Sequence, residues 1–365
     1  MFRALEAPQT DFEDRALDFG WNTLSPQVAR FPSTRFMGSK EQLLLPLWRA
    51  IGPFSPQSVL DLCSGSGVVS YMLKAQGCHV IANDYMCMAT TIAEATIANS
   101  SERLSDMEIE AVADATDPSD DFVLRTYGEI YFKKSDSEFL DSARVAVARL
   151  SDRKKYIARA ALIRACIKRR PRGIFTYTGH RYDDGRKDLR LSLREHFVHA
   201  AIQINGAVFD NGRPCSVMSV DMSHGLPEVE VDVVYLDPPY FSPLSDNEYV
   251  RRYHFTEALA RDWDGLDIQH DTKTKKIRNY PSPFRSEIGC VKALGEVLDR
   301  YRKSAIVISY SSNSLPTTDA IMALMRHHGR KPRLTEVDHR YSFGNQTSAR
   351  APVKNKVREL IFVAE

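Results

Sequence analysis

The stretch of this sequence best equipped for chemistry is Asp237-Pro238-Pro239-Tyr240. It follows the apolar run Val233-Val234-Tyr235-Leu236, which reads as a buried strand. The carboxylate then falls at the C-terminal end of a strand, the edge at which an open parallel sheet binds ligands. Two successive prolines remove two N–H donors and fix two φ angles, and the first biases Asp237 toward extended backbone. The resulting stiff turn presents the Asp237 carboxylate, the Pro238 carbonyl and the Tyr240 ring in fixed relative positions. One carboxylate oxygen and one carbonyl can accept both protons of an exocyclic amine on a nucleobase, while the ring stacks on that base. Both bonds draw electron density toward nitrogen, which helps a weakly nucleophilic aromatic amine attack an electrophilic methyl group. The alternative is an ordinary turn, against which stands its position at the end of a core strand.

A second constellation lies upstream. Asp61-Leu62-Cys63-Ser64-Gly65-Ser66-Gly67 falls where a strand hands over to a helix. Glycines there let the backbone turn tightly and let a ligand approach without a Cβ in the way. Asp84 ends the next strand 17 residues after Gly67, where an acid meets the ribose hydroxyls of a bound nucleotide. That geometry fits NAD or S-adenosylmethionine. Only two glycines are present, so the dinucleotide fingerprint is incomplete, and Asp84 by itself also reads as a turn or capping aspartate.

These groups need a frame to hold them. The run from Ser58 to Gly77 reads as strand, glycine turn and helix, and His79–Tyr85 as the following strand, which together make a βαβ unit. Residues 41–51 read as a helix. Helical patterns dominate from 86 to about 205, interrupted by a basic stretch with Gly and Pro. Strands return at Cys215–Asp221 and Val231–Asp237. Helix at 291–303, strand at 304–311, helix at 317–329 and strands at 334–343 and 359–365 complete the chain. The expected fold class is α/β, a doubly wound Rossmann-like sheet with a mostly helical insertion. Residues 1–30 are read as an arm or short helix, 31–100 and 206–365 as the catalytic domain, and 101–205 as the insertion.

Net charge is only +2 over 365 residues, but it is unevenly distributed. Glu102–Asp141 carries 12 acids against 4 bases, and Arg144–Glu195 carries 16 bases against 5 acids. Such segregation suggests one face built for a polyanion; the alternative is a solvated helical surface. Six scattered cysteines form no CxxC pair and no cluster with His, which argues against a zinc site or a disulfide framework and fits a reducing cytoplasm. No apolar signal segment opens the sequence and no stretch approaches the length of a membrane span.

The set Arg35–Lys40 (RFMGSK), DLCSGSG, ANDY and DPPY, in that order and with the long insertion before DPPY, resembles the Dam-like alpha group of adenine-N6 DNA methyltransferases. The likeness covers residues 33–99 and 213–365. It implies a methyltransferase sheet, S-adenosylmethionine as cofactor, adenine in double-stranded DNA as acceptor, and the insertion as a target-recognition region. By position it implies cofactor contacts from Phe36, Met37, Gly38, Ser39 and Lys40, and from Asp61, Cys63, Ser64, Gly65 and Gly67. Asp84 and Tyr85 would meet the ribose region, Asp221 and Met222 the adenine ring of the cofactor, and Asp237 its methionyl end. Asp237, Pro238, Pro239 and Tyr240 form the implied catalytic motif, with no metal. Two departures stand out. Cys63 replaces the Phe usual in the glycine motif, so the aromatic ring there is either missing or supplied elsewhere, and Phe36 stands where Trp is common. Cytosine-N4 enzymes more often carry Ser in place of Asp237, and protein-glutamine methyltransferases favour Asn there. An RNA substrate and a catalytically silent DNA-binding relative are the other readings.

Adenine in a duplex must be flipped out to reach such a pocket, at a cost of a few kcal/mol. Phosphate and base contacts are expected from Tyr249, Arg251, Arg252 and His254 after DPPY, and from Lys276 and Arg278 in a second basic segment. In the insertion they are expected from Arg169, Arg170, Arg172, Arg181, Arg186 and Lys187. The setting expected is the cytoplasm of a bacterium or phage host, near the nucleoid, with a cognate restriction endonuclease as possible partner.

Overall fold

In the computed structural model of the chain, short β-branched runs become strands and the glycine turn joins the first of them to a helix. The structure describes residues 21–340 and 356–365, apart from 34, 118, 177–184, 186, 244–247 and 281. Helix α1 (Leu44–Ile51) precedes strand β1 (Ser58–Asp61), and α2 (Val68–Ala75), β2 (His79–Asn83) and α3 (Cys87–Thr96) follow. Five helices fill the next hundred residues: α4 (Asp106–Ala113), α5 (Phe122–Tyr127), α6 (Lys134–Ala148), α7 (Asp152–Arg169) and α8 (Leu193–Ala207). Next come β3 (Ser216–Met218), β4 (Val233–Leu236), α9 (Tyr249–Ala260) and α10 (Glu287–Arg300). The chain closes with β5 (Ala305–Ser311), α11 (Thr318–His327), β6 (Pro332–Arg340) and β7 (Lys356–Ala364).

The sheet has seven strands in the order β3-β2-β1-β4-β5-β7-β6. β1 to β5 run parallel, and β7 is inserted antiparallel to both β5 and β6. All four residues of β4 are buried, as a central parallel strand requires. The two sides of the sheet carry separate apolar layers. On one, α1 and α2 bring Leu47, Trp48, Tyr71 and Leu73 against Val59, Val80 and Val233. On the other, α10 and α11 bring Leu294, Val297, Ile321 and Met325 against Leu60, Val234 and Ile308. β2 lies on one side of β1 and β4 on the other, so the chain reverses direction across the sheet at β1. A crevice opens beyond the C-terminal ends of the strands there.

The described residues of the insertion contain helices and no strand. Ser105 and Ser192 begin α4 and α8 with capping boxes, each closed by the Glu three residues on. The packing of this lobe reaches beyond 101–205. Its core also takes in Met88, Ala89 and Ala95 of α3, Tyr253, Phe255 and Leu259 of α9, and Trp263 and Ile277.

The acidic and basic runs meet one another in this lobe. Lys154 pairs with Glu108, Arg149 with Asp117, Arg194 with Asp114, Arg169 with Asp136, and Arg144 with Asp120 and Asp141. Part of the segregation along the chain thus becomes neutralisation in space: opposite charges on neighbouring elements attract, and the fold places five of these bases beside acids.

Candidate active site

Three carboxylates converge where β1, β2 and β4 end. Around them lies a cleft with about 840 Å³ of empty space, lined by Asp61, Asp84 and Asp237, by residues 36–40 and by the glycine turn. Gly65 and Gly67 take φ of 50° and 79°, the left-handed region that favours glycine. Ser64 N–H donates to the Asn83 carbonyl at 2.9 Å, tying the turn to the end of β2. The Asn83 side chain donates to the carbonyls of Leu62 and Val220, which fastens the loop after β3 to the same edge.

Asp84 and Asp61 play different parts. Asp84 accepts from Gly65 N–H and Met86 N–H, both at 2.9 Å, and so braces the turn; burial pushes its pKa up to about 6 against those donors. Asp61 accepts from the Ser70 hydroxyl at 2.6 Å through Oδ2, while its Oδ1 and the Ser64 hydroxyl have no partner among the described residues. Burial pushes Asp61 up to about 7, with the charges of Asp237 and Asp84 adding to the shift. A buried carboxylate oxygen without a partner is costly unless something cationic or hydrogen-bonding arrives to meet it.

The DPPY turn sits on the other side of the crevice. Lys40, 3% exposed, places Nζ 2.9 Å from Asp237 Oδ2 and also donates to the Gly38 carbonyl at 2.9 Å. The Tyr240 hydroxyl lies 2.9 Å from Asp237 Oδ1 and 3.1 Å from Oε2 of Glu359 on β7. Burial raises the Asp237 pKa, and the Lys40 ammonium opposes that rise. The Tyr240 ring packs 5.0 Å from Tyr310 and under the Lys40 ammonium at 4.9 Å. Pro239 lines the cleft, and Pro238 is buried.

An aromatic wall fixes residues 36–38. Phe36 stacks on Tyr253 at 5.0 Å with planes 5° apart, and covers Gly65 so closely that a Cβ there would meet the ring at 3.3 Å. Met37 N–H donates to the Tyr253 hydroxyl at 2.8 Å, and the Tyr249 hydroxyl donates to the Met37 carbonyl at 3.2 Å. A Cβ on Gly38, at φ 78°, would stand 2.6 Å from that Tyr249 oxygen. Ser39, Tyr85, Asp221 and Met222 also line the cleft, with Cys63 Sγ 4.0 Å from Met222 Sδ. Phe284, in the loop ahead of α10, lines the cleft as well. Neither Phe284 nor Glu359 was expected from the sequence.

Four residues assigned to DNA are placed elsewhere. Arg169 is 6% exposed, ion-paired to Asp136 at 3.0 Å and bonded to the Leu189 carbonyl. Arg170 is 0% exposed, donating to the Tyr131 carbonyl and lying over the rings of Tyr131 and Phe175. His254 is 0% exposed, with Nε2 3.0 Å from the Phe175 carbonyl and 2.9 Å from the Tyr131 hydroxyl. Buried this way, none of the three presents a charge to a phosphate; burial in fact holds the His254 pKa down at about 3. Tyr249 stands in the cleft with Met37 and Gly38 instead of on a DNA-facing surface. Arg251, Lys187 and Arg278 are exposed, the last paired with Asp267, and Arg252 and Lys276 are partly exposed. Arg181 and Arg186 lie outside the described residues, as does the Arg172 side chain. Among the described residues there is no cluster of metal ligands, and no helix is long and apolar enough to cross a membrane.

Strand order, glycine turn and the acid-tipped strands define the class: a Rossmann-like methyltransferase. The profile of the D12 class N6 adenine-specific DNA methyltransferases matches residues 36–280, and the chain belongs to that family. It is 24% identical over 352 residues to Type II methyltransferase M2.HphI of Haemophilus parahaemolyticus, across 92% of this chain and 98% of that protein. It is 22% identical over 317 residues to modification methylase StsI of Streptococcus sanguinis, covering 80% of this chain and 46% of that protein. To modification methylase LlaI of Lactococcus lactis subsp. lactis it is again 22% identical over 317 residues, covering 80% and 48%. The chain thus spans nearly all of the first relative and about half of the other two. Its activity is site-specific methyl transfer to adenine N6 in DNA, which requires a methyl donor.

Proposed function

We propose that the donor is S-adenosylmethionine, that the acceptor is adenine flipped out of double-stranded DNA, and that Asp237 is the residue on which the transfer turns. The observation that carries this reading is the Asp237 carboxylate at the cleft wall, oriented through one oxygen by Lys40 and through the other by Tyr240. Asp61 supports the choice of donor, because its partnerless Oδ1 and the neighbouring Ser64 hydroxyl fit the ammonium and carboxylate of a methionyl group. Gly65 and Gly67 allow close approach, Asp84 faces the ribose with its remaining lone pairs, and Asp221 and Met222 flank the adenine end. Phe284 supports the view that the aromatic ring Cys63 does not provide comes from another segment. Phe36, Met37, Gly38, Ser39 and Tyr85 complete the walls.

S-adenosylmethionine supplies an electrophilic methyl on a sulfonium. The chain's own residues handle the amine. Asp237 and the Pro238 carbonyl accept the two N6 protons, Tyr240 and Lys40 hold the carboxylate in place, and the aromatic walls exclude water. As nitrogen gains the methyl it must shed one proton, and Asp237, its pKa raised by burial, is the acceptor at hand. Arg251, Arg252, Lys187, Lys276 and Arg278 are the candidate phosphate contacts, giving binding that weakens steeply with salt. The likeness to the modification methylases StsI and LlaI supports a place in a restriction–modification pair, with a cognate endonuclease as partner in a bacterial or phage-infected cytoplasm.

The test is to incubate the purified chain with duplex DNA and methyl-labelled S-adenosylmethionine, then digest the DNA to nucleosides and map the modified sites. N6-methyladenine in one recurrent sequence context is expected. Label found only in N4-methylcytosine, or no label in the DNA, overturns the reading.

A further inference from the structure

Glu359 is a buried acid that the mechanism has not used. It lies on β7, 1% exposed, with Oε2 3.1 Å from the Tyr240 hydroxyl and Oε1 without a partner among the described residues. The same hydroxyl is 2.9 Å from Asp237 Oδ1. A phenol carries one proton, and an ionised carboxylate is an acceptor only. Two ionised carboxylates therefore cannot both be satisfied by Tyr240, and the triad holds together when one carboxyl keeps a proton. Asp237 has the Lys40 ammonium at 2.9 Å on its other oxygen, which favours its charged form. Glu359 has no cation in contact among the described residues and the deeper burial.

Resting on the assignment of Asp237 as the acceptor of the target amine, we propose that Glu359 is a positioning residue that stays protonated. It donates to Tyr240, so that the Tyr240 proton is directed to Asp237 and Asp237 remains an oriented anion. Burial, with the Asp237 charge adding to it and Lys40 opposing, pushes the Glu359 pKa up to about 7. The groups facing it are Lys40, Asp237 and Tyr240, with Tyr235 on β4 turned to the Ser309 hydroxyl at 3.1 Å. Its register partners are Ser311 on β5 and Val337 on β6, neither of which titrates near neutrality. α1 also packs on β7, and its one charge, Arg49, bonds to Asn22. Ionising Glu359 takes away the proton it lends to Tyr240, so that two carboxylates compete for the single Tyr240 proton and Asp237 loses the donor that orients it.

The test follows the single-turnover rate across pH, with infrared spectra of the same proteins. The wild-type rate is expected to fall by about tenfold per pH unit above the transition, and Glu359→Gln to remove that alkaline limb, because its amide still donates to Tyr240. Asp61 also contributes an infrared C=O band of a protonated carboxyl near neutrality, so wild type should show one such band more than Glu359→Gln. In Tyr240→Phe the band should move to higher frequency, since the acid loses its acceptor. An alkaline limb retained in Glu359→Gln, or a set of protonated bands unchanged from wild type, overturns the proposal. If wild-type protein transfers no methyl group, the assignment of Asp237 fails, and the infrared comparison still decides where the proton lies.

Discussion

The strand edge and the helical lobe treat charge in opposite ways. At the edge, Asp61, Asp84 and Glu359 are buried and Asp237 partly so, two of the four with an oxygen that no described residue meets, and burial raises the pKa of all four. In the lobe, charges are disposed of in pairs, from the buried Arg169–Asp136 to the exposed Arg194–Asp114. The first region gathers acids whose charged forms burial disfavours, which suits binding and reaction. The second uses its charges to hold helices together. A charge run in a sequence is therefore a poor guide to field, and an isolated acid at a strand end is a good one.

That contrast can be broken at its strongest point by Arg169→Ala. Removing one partner of a buried pair leaves Asp136 uncompensated, so unfolding free energy should drop by about 3–5 kcal/mol in urea titration. The salt slope of DNA binding should stay as it was; a slope smaller by about one would return Arg169 to the DNA surface. Asp61→Asn probes the other region. Cofactor affinity should weaken by about 10- to 100-fold, the value of a hydrogen bond to a charged group. Because the free Asp61 titrates at about 7, a bound ammonium would lower that pKa and binding just below neutrality should release a proton. Calorimetry in two buffers of different ionisation enthalpy measures this, and the release should vanish in the variant. The sign for stability is fixed too. An acid whose folded pKa is raised contributes stability at low pH that is lost as pH rises through about 7, so the ligand-free wild type should lose stability over that window more than Asp61→Asn does. The smallest effect belongs to Arg194→Ala. Its exposed pair should be worth less than about 1 kcal/mol, and a loss well above that would show that the surface pairs of the lobe carry its stability.

Much of the strand edge was legible because its signals are local. β1, the glycine turn and β4 with its acid and prolines fall within a few residues of where the sequence puts them, since periodicity and turn chemistry dictate them. β2 ends at Asn83, two residues earlier than expected, because Asp84 turns back to the Gly65 amide. What was not legible depends on distant pairing. Glu359 reads as an acid at the start of a terminal strand, and only the insertion of β7 between β5 and β6 carries it to Tyr240, 119 residues away in sequence. Tyr249 and His254 looked like part of a basic segment closing on DNA. In α9 they point inward, and at Tyr253 the helix departs from regular geometry where its hydroxyl takes the Met37 amide. The lobe's charges misled for the same reason: Asp114 and Arg194 are 80 residues apart, yet share a hydrogen bond.

The most direct test is single-turnover methyl transfer by Asp237→Ala, with circular dichroism and S-adenosylmethionine binding measured on the same sample. The variant should fold, bind the cofactor, and form no N6-methyladenine above background. Transfer at a rate near that of the wild type would contradict the assignment of Asp237 and, with it, the reading of the strand edge as the seat of the chemistry.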